Sequence, residues 1–207
     1  MANSVPVAQS AGRRLVLAST SRYRRMLLER LGLAFDAVAP NADEAPLAGE
    51  TPAATAFRLA AAKAQSVAAA YPDALIIGSD QVADCRGQAI GKPGTHDRAV
   101  AQLHALSGQT VVFHTGLALL DAASGARQTA LVDVRSTFRH LSSAEIEAYV
   151  RREQPYDCAG SVRSESLGIA LFERIESDDP TALIGLPLIQ LARMLQAAGV
   201  VVLAPPQ

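Results

Sequence analysis

Tryptophan is absent from this chain, cysteine occurs twice, and aromatic residues make up 4% of its 207 residues. So few flat side chains leave little on which the bases of a single strand can stack. A formal charge of −1, from 19 Lys and Arg against 20 Asp and Glu, sets up no field that draws a polyanion onto the whole surface. A nucleic-acid polymer is therefore not the expected partner. Cys85 and Cys158 lie far apart and outside any C-x-x-C pair, which removes the common zinc and dithiol patterns and suits a reduced cytoplasm. No stretch approaches the roughly 20 apolar residues of a membrane-spanning helix. Also missing are G-x-x-x-x-G-K-[ST], G-x-G-x-x-G and G-x-S-x-G, so P-loop, dinucleotide and serine-hydrolase readings have no support. His96, His104, His114 and His140 lack metal-ligand spacing.

What is present is a composition with 49% hydrophobic and 19% charged residues, enough to bury a core in one soluble unit. "MANSVPVAQSAGRR" has no apolar middle and reads as a flexible tail over 1–14, with a single domain over 15–207. "RLVLA" is a β-type run, followed by a helix from about Ser21 that Gly32 closes. "LAFDAVAP" is a second strand, and 40–52 a proline-punctuated loop. The alanine-rich stretch 53–70 predicts a helix that can pack closely. "DALIIGSDQVADC" is a buried strand turned back by "RGQ" to "AIGKPG", and Thr95 and Gly108 bound the next helix. Two long β-type runs around "AASGA" form a hairpin, and "SSAEIEAYVRREQ" opens with a serine cap. After the partly strand-like "YDCAGSVRSESLGIALFERIES" come an apolar helix over 180–199 and a last strand, "VVVL". Alternating strands and helices with a late hairpin predict an α/β fold with a mixed central sheet flanked by helices.

Ser19, Thr20 and Ser21 with Arg22, Arg24 and Arg25 gather where a strand ends and a helix begins. Unpaired N–H groups and a partial positive charge at a helix N-terminus suit a phosphate, and arginine forks suit its oxygens. The plainer reading is a serine cap with solvated arginines. Asp80, at the polar end of the apolar run in "GSDQV", is the best candidate for a general base or metal ligand; the plainer reading is an Asp that caps the following turn. Asp43 and Glu44 in the 40–52 loop offer a second carboxylate for a hard divalent cation, or simple surface acidity. Lys63 is the charged residue of "LAAAKAQSVAAA", Lys92 is pinned in "IGKPG", and Arg163 and Glu165 in "GSVRSES" can read a ligand's edge.

In order along the chain, "LASTSRYRRMLL", Asp43-Glu44, "AAAKA" around Lys63, "GSDQV", "GKP", "DCAGSVRSESLGI" and "GLPL" resemble the Maf family of nucleotide pyrophosphatases, over roughly 15–203. The resemblance implies a fold related to inosine-triphosphate pyrophosphatases. It also implies cleavage of a nucleoside triphosphate between its α and β phosphates, to the nucleoside monophosphate and pyrophosphate. By the same resemblance Asp80 is the proton acceptor that activates water, and Ser19, Arg24, Lys63 and Lys92 hold the triphosphate. Glu44 and Asp80 would be the carboxylates for a divalent cation, Mg2+ or Mn2+. A homodimer is implied too. One branch of the family acts on dTTP and UTP, another on 7-methyl-GTP; Tyr23, Gln81 and Glu165 look like the second. Arg22 stands where proline is usual there, and Tyr23 where tryptophan is. The positive charge of N7-methylated guanine suits an aromatic face or a carboxylate, and Glu165 can accept from the guanine N1–H and amino group. The alternatives are a dTTP/UTP pyrophosphatase, or a nucleotide-binding division regulator without turnover.

Overall fold

A computed structural model describes residues 13–203. β1 (Leu15–Ala18) lies between β2 (Asp36–Val38) and β3 (Leu75–Cys85), parallel to both. β3 turns through Arg86 and Gly87 into the short antiparallel β4 (Gln88–Ile90). On its other side it takes β5 (Thr110–Asp121), then β6 (Arg127–Phe138) and β7 (Phe172–Glu176), each antiparallel to its neighbour. The seven strands form the mixed sheet expected from the sequence, in the order β2-β1-β3-β5-β6-β7 with β4 beside β3.

One edge of β3 is bare for part of its length. β1 pairs with it as far as Leu17 opposite Ile77, and β4 pairs with it only from Ala83 onward. Gly78 to Val82 therefore have a strand neighbour, β5, on one side only. Such a gap, at the carboxyl end of a parallel strand, lets a ligand reach the sheet.

Successive residues of a strand point to opposite faces, so Ile76, Gly78 and Asp80 share one face and Ile77, Ser79 and Gln81 the other. On the first face lies α2 (Pro52–Ser66), capped by the Thr51 hydroxyl. Its Ala56, Ala60 and Ala64 are fully buried. A Cβ on Gly78 would stand 2.1 Å from the Ala60 carbonyl oxygen, and one on Gly116 2.2 Å from that of Ala56. The helix backbone thus rests directly on the sheet.

The second face carries the other helices in two groups. Leu27 and Leu28 of α1 (Arg22–Glu29) and Leu191 and Leu195 of α5 (Leu188–Ala197) cover Leu15, Leu17, Ile77 and Leu117. Leu103 of α3 (His96–Leu106) and Ile146 and Val150 of α4 (Ser143–Glu153) cover Val111, Phe113, Val134 and Phe138. Each such large apolar side chain contributes about 1.5–3 kcal/mol when fully buried. The caps expected at Thr95 and Ser142 are present, the latter as a full capping box with Glu145.

Three details differ from the sequence expectation. The helix over 180–199 is broken: a 3-10 turn, Pro180–Ile184, ends at Gly185 with φ 116°, and α5 starts only after Pro187. Proline disfavours helical backbone in the residue before it, and glycine tolerates the left-handed turn. No strand follows α5 among the described residues. The Val200 N–H instead donates to the Leu195 carbonyl at 2.9 Å and the Gly199 N–H to that of Gln196 at 3.0 Å. This is a Schellman closure, with buried Val200 packed in the same cluster as Leu195. Finally, residues 1–12 of the expected tail lie outside the described residues, but Arg13 and Arg14 are held. Arg13 donates to Asp121 at 2.8 Å and Arg14 to Asp36 at 2.6 Å.

Because the Gly116 position leaves no room for a methyl group, Gly116→Ala should lower stability by about 1–3 kcal/mol or more. It should also lift α2 from the sheet. A wild-type urea midpoint in this variant would show that the helix has space to move.

Candidate active site

The bare edge of β3 forms the floor of a cleft of about 670 Å³, within the usual size range of ligand sites. Its wall begins at the end of β1. The Ser19 hydroxyl, nearly buried, accepts from the Ser21 N–H at 3.1 Å, and the Ser21 hydroxyl caps α1 through the Arg24 N–H. Arg24 then folds back, and its Nε donates to the Gly185 carbonyl at 2.8 Å. Crowding by protein atoms pushes the Arg24 pKa below its usual value, opposed by Asp80 and Glu44, yet arginine starts so high that it stays a cation. Arg25 is exposed and reaches Glu29 at 3.6 Å, so it is the arginine of this cluster that the plain solvated reading describes.

Asp80 and Lys63 meet across the contact between α2 and β3. The Lys63 ammonium donates to Asp80 at 2.6 Å and lies 2.8 Å from Glu44, so one buried cation joins two carboxylates. The hydrogen bond from Lys63 holds the Glu44 carboxyl below its usual pKa. Asp43, the neighbouring carboxylate, instead accepts from the Ala45 N–H in a local turn and is exposed. Of the adjacent pair Asp43 and Glu44, Glu44 is the one that lines the cleft.

Glu44 owes its position to a clip absent from the sequence reading. Arg58 on α2 donates to both carboxylate oxygens of Glu50, each at 2.7 Å, and to the Ala45 carbonyl at 3.1 Å. Glu50 also accepts from the Leu47 N–H at 3.2 Å. The loop is thus fastened at both ends to the helix that carries Lys63.

A side pocket of about 130 Å³ opens from the cleft and is shared by Tyr23, Arg24, Gln81, Lys92 and Asp157. Glu165 lines this pocket and not the main cleft. It is exposed, yet protein atoms on the pocket side raise its carboxyl pKa by desolvation. Gln81 is fixed from the face opposite Asp80. Its Nε2 donates to the carbonyls of Ala182 and Leu183, at 2.8 and 3.1 Å, and to the Thr115 hydroxyl. Its Oε1 has no partner among the described residues and remains a rigid acceptor. Arg163, in contrast, serves the scaffold: it lies 3.5 Å from Glu153 and 3.3 Å from Asp157 and donates to the Glu153 carbonyl at 2.7 Å. Burial pushes the Cys158 thiol up to about 11, so it is not a ready nucleophile.

The cleft mixes carboxylates with cations, and part of its positive charge is held in no ion pair. Among the described residues Arg22, Arg24 and Lys92 line it without a carboxylate partner, while Lys63 is shared by two. Every expected site residue is therefore at the cleft or its side pocket: Ser19, Tyr23, Arg24, Glu44, Lys63, Asp80, Gln81, Lys92 and Glu165. Asp157, Ser79, Thr115 and the 182–185 carbonyls were not singled out by the sequence, because their neighbours are brought from other parts of the chain. No group of three or more His, Cys, Asp and Glu suited to a metal occurs among the described residues.

Fold and cleft together define an α/β protein with a charged cleft around a lysine-clasped carboxylate. The chain belongs to the family described as Maf-like protein, whose model matches residues 14–198. It is 60% identical over 192 residues to a 7-methyl-GTP pyrophosphatase of Polaromonas sp. (strain JS666 / ATCC BAA-500), covering 93% of this chain and 88% of that one. It is 61% identical over 188 residues to a protein of the same name from Burkholderia orbicola (strain AU 1054), covering 89% and 90%. A third of that name, from Albidiferax ferrireducens (strain ATCC BAA-621 / DSM 15236 / T118), is 56% identical over 191 residues, covering 92% and 96%.

The Arg58 clip holds the Glu50 carboxyl at about 2. A depressed folded pKa means that the clip's contribution is complete above the ordinary carboxylate range and is lost as pH falls toward about 2. Arg58→Ala should reduce hydrogen-exchange protection of the Leu47 amide at neutral pH. The difference from wild type should shrink on acidification through that window; a constant difference would dissociate the loop from this ion pair.

Proposed function

We propose that this protein hydrolyses 7-methyl-GTP to the nucleoside monophosphate and pyrophosphate, removing a non-standard nucleotide. The observation that carries the reading is the carboxylate of Asp80, held by Lys63 at 2.6 Å in a cleft whose other cations have no carboxylate partner. The relatives' shared name supports the same substrate.

In this reading the triphosphate lies along Ser19, Arg24, Lys63 and Lys92, with the α1 N-terminus adding unpaired N–H groups. Asp80 takes a proton from water as the water oxygen bonds to the α-phosphorus. The bond from that phosphorus to the bridging oxygen breaks, and pyrophosphate carries away the electron pair. Arg24 and Lys92 stabilise the charge that gathers on the phosphate oxygens. Tyr23, the free Oε1 of Gln81 and Glu165 meet the base, and the carboxylate and amide oxygens accept from the guanine N1–H and amino group.

Asp80 and Glu44 would also hold a divalent cation, Mg2+ or Mn2+. The donor set fits: Lys63 already places one positive charge within 2.8 Å of both carboxylates, and two carboxylates are what a magnesium site needs when substrate phosphates complete it. A cation held by these carboxylates would supply charge neutralisation for the departing pyrophosphate. No helix among the described residues is long and apolar enough to cross a membrane. Two free cysteines support a cytoplasmic setting, and the family resemblance supports a homodimer.

With magnesium or manganese, a panel of 7-methyl-GTP, GTP, UTP, dTTP and ITP should show 7-methyl-GTP cleaved fastest, with pyrophosphate released. UTP and dTTP in the lead would move the protein to the other branch, and binding without cleavage would make it a nucleotide-binding module. Asp80→Asn should lower turnover by about 10²–10⁴-fold while nucleotide binding persists; near-normal turnover would remove Asp80 from the proton-accepting role. Glu165→Ala should change the ratio of rates on different bases, whereas equal loss on all nucleotides would make Glu165 structural.

A further inference from the structure

Tyr23 stands where the main cleft meets the side pocket, and two guanidinium groups lie over its ring. The Arg22 guanidinium carbon is 4.6 Å from the ring centroid, and its Nη2 donates to the phenol oxygen at 2.6 Å. The Arg163 guanidinium carbon is 5.9 Å from the same centroid. The two charges are not equivalent. Glu153 and Asp157 answer that of Arg163, at 3.5 and 3.3 Å. Arg22 is exposed and has no carboxylate at ion-pair distance among the described residues; Asp157 and Glu165 act on its charge only from farther away, and the Tyr23 hydroxyl is its hydrogen-bond acceptor.

A guanidinium and an N7-methylated guanine are both cations, and both seek the negative face of an aromatic ring. They also repel each other. An unmethylated guanine has no such conflict, since an arginine fork can stack on it or donate to its N7 and O6. We propose that Arg22 is a specificity-determining residue that works against the methylated base. Its charge on Tyr23, held in no ion pair, narrows the preference for 7-methyl-GTP over GTP and widens the range of bases the cleft accepts. This inference rests on the nucleotide-hydrolysis reading given above.

The test compares kcat/KM for 7-methyl-GTP and GTP in wild type, Arg22→Gln and Arg22→Lys. Both substrates carry the same triphosphate, so any contact between Arg22 and phosphate cancels in the ratio. Arg22→Gln removes the charge while keeping an amide donor, and should raise the 7-methyl-GTP to GTP ratio about two- to five-fold, the scale of an exposed cation–ring contact. Arg22→Lys keeps the charge and should leave the ratio within about two-fold of wild type. Raising the salt concentration should move the wild-type ratio toward that of Arg22→Gln, because an exposed charge is screened. An unchanged or lower ratio in Arg22→Gln would overturn the proposal, as would equal shifts in the two variants, which would trace the effect to shape. A wild type that cleaves neither nucleotide would overturn the reading of the cleft itself, and the inference with it.

Discussion

The contact of α2 with the sheet at Gly78 and Gly116 is the constraint on which the site depends. Hydrogen atoms in place of side chains at these two positions, and alanines facing them from the helix, let backbone meet backbone. Only at that separation can a lysine three residues beyond Ala60 bring its ammonium to the Asp80 carboxylate. Both groups are more than nine-tenths buried, and removing two charges from water costs several kcal/mol per ion even after relaxation. A well-packed apolar pair would stabilise the fold more economically. The ion pair is therefore explained by the chemistry of the cleft and not by the stability of the sheet.

The bare edge of β3 gives one ligand access to both faces of the sheet. Asp80 points to the α2 side and Gln81, one residue later, to the side where the 182–185 turn supplies carbonyl groups. That turn is held by buried Asp179, which accepts from the Gln190 N–H at 3.0 Å, and by Thr181, whose hydroxyl joins the Leu186 carbonyl to the Leu188 N–H. Its Gly185 carbonyl in turn receives both Arg24 Nε and the Ser79 hydroxyl. A single irregular turn thus orients both the Arg24 guanidinium and the Gln81 amide at the cleft. A continuous helix over 180–199 would tie up these carbonyls within the helix.

The strands, the caps at Ser21, Thr95 and Ser142, and the β5–β6 hairpin were all legible in the sequence, because their signals lie within a few residues of one another. The positions that line the cleft and its side pocket were legible too, chiefly as an ordered series of motifs. Less visible were residues whose role depends on a distant partner. Asp157 stood at the head of the motif "DCAGSVRSESLGI" but was given no role, and the Glu50–Arg58 clip looked like ordinary loop and helix charge. The last apolar run resembled a strand, but its first residue was needed to close α5, and a backbone N–H committed to a helix terminus is not available to a sheet.

Sequence alone determined the α/β alternation, the glycines that admit α2, and the set of cations and carboxylates from which the site is made. Tertiary structure decided which of them meet. It chose Glu44 over Asp43 as the partner of Lys63, sent Arg25 to solvent while folding Arg24 into the cleft, and left Arg22 over Tyr23 without an ion pair. Local signals act through neighbours along the chain, whereas a charge finds its partner by distance and burial. Those depend on segments such as Lys63 and Asp80, or Ser79 and Gly185, that lie 17 and 106 residues apart and meet only when the sheet is assembled.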